Sequence, residues 1–141
     1  MNKGYQTYKS VNVDTASQGK LILIAYDVAI KHCKSSLNTF GDYERIEDRT
    51  KHLFKAQDAI SELMGALKLD VGEIAQNLYR LYDYMLRGLV ESNVKDDKSK
   101  TVEILGYLEQ LRESWVAAIE NVQTEAAPAM DTPQQGFAIS G

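Results

Sequence analysis

The chain has 141 residues, a formal net charge of −4, 44% hydrophobic and 26% charged residues, and one cysteine. This describes one globular domain with enough apolar content to bury a core, and too much for a disordered chain. The negative balance excludes a binder of nucleic-acid backbones, which requires a basic face, and a lone cysteine excludes a disulfide framework.

Residues 1–16 are polar, carry Tyr5 and Tyr8, and show no apolar period, so they are expected to form a flexible N-terminal arm. The two tyrosines either dock on the end of the domain or guard a binding groove. Its first ten residues lack the apolar run of a signal peptide, and the expected location is cytoplasmic. The first helix is predicted over 17–40, with Ser17 as N-cap or Thr15 and Gln18 as a capping box. Leu23, Tyr26, Ile30, Cys33, Leu37 and Phe40 form one stripe, and Leu21, Ile22, Ile24, Ala25, Val28 and Ala29 fill most of the remaining circumference. A helix apolar nearly all round should be covered on several sides. Its apolar run is far short of the ~20 residues of a membrane span, and no membrane insertion is expected.

The second helix is predicted over 43–68, with a narrow seam of Ile46, Leu53, Ile60 and Leu67 and with Ala56 and Leu63 between them. Phe54, Gln57, Ser61 and Met64 form a mixed strip beside that seam. The third helix is predicted over 71–93 behind an Asp70–Glu73 capping box, and the fourth over 99–122, facing inward through Ile104, Leu108, Leu111, Trp115, Ala118 and Val122. The stretch 124–141 holds both prolines and is expected to be a loose tail. The fold class is therefore all-α: an antiparallel up-and-down four-helix bundle over 17–123 with a flexible arm and tail.

Catalytic and metal-binding patterns are missing. The two histidines, His32 and His52, have Ala29 and Arg49 three residues before them instead of the glutamates of a bundle-borne di-metal site. Cys33 and His32 are adjacent and diverge around the helix, so they make no nucleophile pair. Asp27 stands alone in an apolar run, and the glycines match no phosphate-binding loop. No enzyme activity, cofactor or metal is expected. What the chain does hold is surplus apolar and aromatic surface, including eight tyrosines, a composition suited to core edges and to partner grooves alike. Gly65, Gly88 and Gly106 lie inside predicted helices at a cost of about 1 kcal/mol each, either tolerated or marking close approach of another backbone.

Five blocks stand in order: GYQTYKSVNVDTAS in the arm, GKLILIAYDVAI in helix 1, KAQDAISEL in helix 2, GEIAQNLYRLYDYM in helix 3 and LEQLRESW in helix 4. Through them, over residues 4 to 115, the chain resembles the FliS family of flagellin export chaperones. Two positions depart from it: Gln18 stands where proline is frequent and Val28 where glycine is frequent. The resemblance implies a cytoplasmic, non-enzymatic chaperone that binds the disordered C-terminal segment of flagellin, prevents premature polymerisation and assists delivery to the flagellar type III export apparatus, with a component of the export gate as a further partner. The flagellin-binding residues it points to are Tyr5 and Tyr8 in the arm, Leu23, Tyr26 and Ile30 in helix 1, Gln57, Ser61 and Met64 in helix 2, and Tyr79, Tyr82 and Leu86 in helix 3. The alternative is a self-associating helical structural or adaptor protein whose surplus surface closes a homodimer.

Overall fold

The computed structural model describes residues 15–68 and 72–126, and the side chains of 18–68 and 72–121. The elements in chain order are α1 (Thr15–Ser36), two 3-10 turns (Leu37–Thr39 and Tyr43–Arg45), α2 (Ile46–Gly65), α3 (Glu73–Lys95) and α4 (Lys98–Ala126). Each helix packs on two others: α1 on α2 and α4, α3 on α2 and α4, which leaves α1 and α3 on one diagonal. Contacts run in opposing order along neighbours. Gly19 meets Ile119, Asp27 bonds Arg112, and Lys34 pairs with Glu109. The architecture is the antiparallel up-and-down four-helix bundle.

The core is a continuous cluster that includes Tyr26, Ala29 and Cys33 of α1, Leu53, Ala56, Ile60 and Leu63 of α2, Leu78, Tyr82, Met85 and Leu89 of α3, and Ile104 and Leu108 of α4. On α1 the buried line runs through Tyr26, Ala29, Cys33 and Ser36, while Leu23, Ile30 and Leu37 are only half-buried. Of the several sides of α1 expected to be covered, those turned to α2 and α4 are, while Ile24 and Val28 stay exposed on its outer side. Val28 puts its bulk there, so the departure from the family's glycine crowds no buried contact.

Several boundaries move. Thr15 is already helical, which places Ser17 inside the first turn of α1 and not at its N-cap. The α-helical part of α1 stops at Ser36, where Ser36 Oγ donates to the Cys33 carbonyl and Thr39 Oγ1 to the Ser36 carbonyl, tightening the chain into a 3-10 turn. Asp42 then caps the next turn by accepting from the Glu44 N–H at 3.0 Å. Helix α2 ends at Gly65, before Lys68. Helix α3 begins at Glu73 with Gly72 as N-cap, at φ 135°, a backbone that only glycine adopts freely, and with no side-chain cap bond. Asp70, the other half of the expected capping box, lies outside the described residues, as do the arm residues 1–14 with Tyr5 and Tyr8, and residues 127–141.

The end of the bundle formed by the α1–α2 and α3–α4 connections is tied by one buried side chain. Arg49, 4% exposed, donates from Nε to Asn93 Oδ1 (2.9 Å), from Nη2 to the Asn93 carbonyl (2.9 Å) and from Nη1 to Asp96 Oδ1 (2.8 Å). Its guanidinium lies 5.1 Å from the centre of the Phe40 ring, an attractive stacking for this cation. Asp96 caps α3 in the left-handed region (φ 52°) and also accepts the Gly41 N–H at 2.9 Å. One carboxylate thus joins both connections. Below it Ser92 Oγ donates to the Asp97 carbonyl and takes a hydrogen bond from Thr101 Oγ1, both at 2.6 Å.

Of the three helical glycines singled out, Gly88 alone is a close approach. A Cβ there would meet Ile104 Cδ1 at 2.6 Å, whereas Gly65 and Gly106 have open space beside them. Gly88 lets α3 and α4 come together.

Candidate functional site

The surplus surface is concentrated between α2 and α3. A hydrogen bond from Arg49 to Asn93 and one from Asn93 to Thr50 fix which sides of these helices face each other. Continuing at about 3.6 residues per turn, that side of α2 carries Ile46, Thr50, Gln57, Ser61 and Met64, with Phe54 at its outer edge. The matching side of α3 carries Tyr79, Leu86, Val90 and Asn93, with Val94 at its edge. Phe54 is 57% exposed and Val94 78%; Ile46, Tyr79 and Val90 are also exposed, and Tyr43 stands almost free ahead of α2. Gln57, Met64 and Leu86 form the half-buried floor. Over α2's 20 residues the flank is about 30 Å long. Buried in it, Gln57 Nε2 has no hydrogen-bond partner, an amide donor lacking an acceptor.

The predicted contact residues separate into groups. Gln57, Ser61, Met64, Tyr79 and Leu86 come together on this flank. Leu23 and Ile30 lie on the opposite side of the molecule, on the edge of α1 turned to α4. Tyr26 and Tyr82 are in the core: their hydroxyls meet at 2.6 Å across the α1–α3 diagonal, with the ring centroids 6.5 Å apart. The side chain of Trp115 hydrogen-bonds to the same pair, and burial pushes both hydroxyls above the ordinary tyrosine range. These two side chains hold α1 and α3 in place and are closed to a partner in this conformation. Phe54, Ile46, Val90 and Val94 belong to the flank but were not among the predicted contacts. The signal for Val90 and Val94 is their position four and eight residues after Leu86, which continues one face of α3 past the stripe read from the sequence.

The remaining polar features are organised along other seams. On the α3–α4 face Tyr84 and Tyr107 both donate to Glu103, at 3.0 and 2.9 Å, and Lys100 donates to the Tyr84 hydroxyl at 3.1 Å. The hydrogen bond from Tyr107, then that from Tyr84, holds the Glu103 carboxyl below its usual range. Asp27, isolated in the sequence, pairs with Arg112 of α4. Between α1 and α2, His32 and His52 face each other with Nδ1 atoms 3.0 Å apart. Burial pushes the Cys33 thiol up to about 12, away from reactive thiolate chemistry. Among the described residues no group of three His, Cys, Asp or Glu side chains is placed to hold a metal ion. None of the described helices is long and apolar enough to cross a membrane. The candidate site is the open apolar flank along α2 and α3.

Comparison with known proteins places the chain in a family. The model of the family described as flagellar protein FliS matches residues 1–122. A flagellar secretion chaperone FliS from Bacillus subtilis (strain 168) is 32% identical over 117 residues, spanning 83% of this chain and 86% of its own length. A protein of the same name from Salmonella typhimurium (strain LT2) is 46% identical over 118 residues, spanning 79% of this chain and 87% of its own. Its namesake from Vibrio cholerae is 28% identical over 120 residues, across 82% and 88% of the two chains. With a family match through all four helices and relatives of this length and name, the chain belongs to the FliS family of flagellar secretion chaperones.

Proposed function

We propose that this protein is a non-enzymatic cytoplasmic chaperone that binds the C-terminal segment of flagellin, keeps it from polymerising and hands it to the flagellar export apparatus. The observation that carries this reading is the bare apolar flank between α2 and α3, on a chain of the FliS family. A segment with its own apolar stripe covers Phe54, Tyr79, Leu86 and Val90 as it folds, in the manner of an amphipathic helix in a groove. Assembly is prevented because the apolar surface that would join flagellin to flagellin is occupied. The unpaired Gln57 donor supports the same reading, since an incoming carbonyl would satisfy it.

Titration calorimetry of the pure protein with monomeric flagellin from the same organism tests this. Roughly one-to-one binding is expected, with a negative heat-capacity change from apolar burial, and none with flagellin truncated at its C-terminus. Absence of heat with the full-length flagellin rejects the proposal. Phe54→Ser with Tyr79→Ser, both exposed, should weaken binding at least about tenfold with little change in melting temperature. Light scattering of the free protein separates this reading from self-association: if a stable dimer hides the flank and flagellin leaves it intact, the adaptor reading is the correct one.

A further inference from the structure

The two histidines belong to no motif and lie outside the flank between α2 and α3, yet they meet. His32 lies on the side of α1 that faces α2, and His52 on the facing side of α2, with Nδ1 to Nδ1 at 3.0 Å. Their ring centroids are 5.2 Å apart and the planes differ by 32°. With so short an N···N contact, that centroid distance places the rings nearly end to end, each nitrogen aimed at the other. This is hydrogen-bond geometry: one Nδ1 carries a hydrogen and the other offers its lone pair.

We propose that His32 and His52 form a two-state proton latch across the α1–α2 seam, closed while at most one of the two rings is cationic and forced open when both are. The proton count explains the states. In the neutral pair, one ring is protonated on Nδ1 and the other on Nε2, so one N–H···N bond joins the helices. Adding one proton completes the Nε2 of the donor ring, and the bond persists in charge-assisted form. Adding a second protonates the accepting Nδ1. Two N–H groups then point at each other between two cations, and the bond is lost.

The surroundings work against the second proton. Lys31 on α1 and Lys55 on α2 both act on His32, whose protonation is disfavoured first by burial and then by His52 and these lysines. Asp48, one turn before His52 on α2, carries the opposite charge but is paired with Arg45 at 3.5 Å. The same features make the pair a proton site and not a metal site: no third ligand joins it among the described residues, the lone pairs do not converge on a shared point, and two lysines repel a dication. Because the folded pair resists its second proton and the unfolded chain does not, the unfolded state binds more protons below the ordinary histidine range of about 6.5. Stability is therefore present above that range and lost as pH falls through it.

Nitrogen-detected NMR of the imidazoles in the full-length protein tests the latch. A through-bond coupling between the two Nδ1 nuclei is expected at pH 7. On acidification there should be two separated titration steps, the second more than one pH unit below the first. In His52→Gln the His32 step should move upward. A second measurement compares the wild type with the double variant His32→Gln/His52→Gln, which can keep a hydrogen bond across the seam without titrating. Relative to that variant, the wild-type unfolding constant should rise by up to about tenfold per pH unit below ~6.5. Two independent steps near 6.5, or parallel stability profiles for the two proteins, would overturn the latch. So would stoichiometric binding of Zn2+ at pH 7 that shifts both imidazoles, since it would make the pair a metal site.

Discussion

The end of the bundle tied by Arg49 and the flank between α2 and α3 are built from the same two helices, and they are opposites. At the tied end each nitrogen of a buried guanidinium donates to an oxygen, the group stacks on Phe40, and Asp96 locks two connections at once. Further along, the same helices leave Phe54, Tyr79 and Val90 bare and an amide donor unmet. The tied end spends its polar groups on one conformation. The flank leaves apolar surface uncovered. Under the proposed function, stability and recognition are thus separated along a single pair of helices.

The largest test of that separation is Arg49→Ala. It removes a buried ion pair, two further hydrogen bonds and the packing on Phe40, and should destabilise by about 2–4 kcal/mol. Asp96, whose side chain remains about half exposed, regains water, which keeps the loss below that of a fully buried pair. Denaturant unfolding should show it, while flagellin affinity measured well below the melting temperature should change little. A large affinity loss in a folded variant would break the comparison.

The tyrosine pair comes next. Tyr26→Phe or Tyr82→Phe leaves the other hydroxyl or the Trp115 side chain without its partner, at about 1–2 kcal/mol each. The double variant should cost less than the sum of the two, because the orphaned groups leave together. Additive losses in thermal unfolding would show that the hydroxyls do not act as a unit.

The smallest effects sharpen the contrast between packed and open sites. Gly106→Ala enters open space on α4 and should gain up to about 1 kcal/mol from helix propensity. Gly88→Ala gains the same propensity but drives its Cβ into the fully buried Ile104, and overpacking of about 1–3 kcal/mol should outweigh it. Opposite signs in melting temperature are the expected result.

The helices were legible because their apolar periods are long and clean: Leu53, Ala56, Ile60 and Leu63 all lie on the buried side where their spacing puts them. Half the flank was legible for the same reason, since Gln57, Ser61 and Met64 form a mixed strip adjacent to that line. Tyr26 and Tyr82 show the limit. Core and groove share one chemistry, and only the position of a third helix decides which tyrosine is covered. The Arg49 tie was missed, although a charged residue four before Leu53 and seven before Ala56, on the core line, is the signal that a buried partner exists. Its partners stand 44 and 47 positions away, and no local pattern reports contacts at that separation. His32 and His52 escaped for the same reason. The ends of helices moved because they are decided by single side-chain bonds, such as those of Ser36 and Thr39, which periodicity does not register.

The burial of Cys33 has a practical consequence for watching this molecule at work. The chain has a single thiol, and it is shielded by the packing of α1 at the centre of the bundle. Alkylating reagents reach it only when that packing opens, so its rate of modification serves as a clock for opening events. A cysteine introduced at Val94 would instead react at once, giving a singly labelled fluorescent reporter in which the native thiol need not be removed.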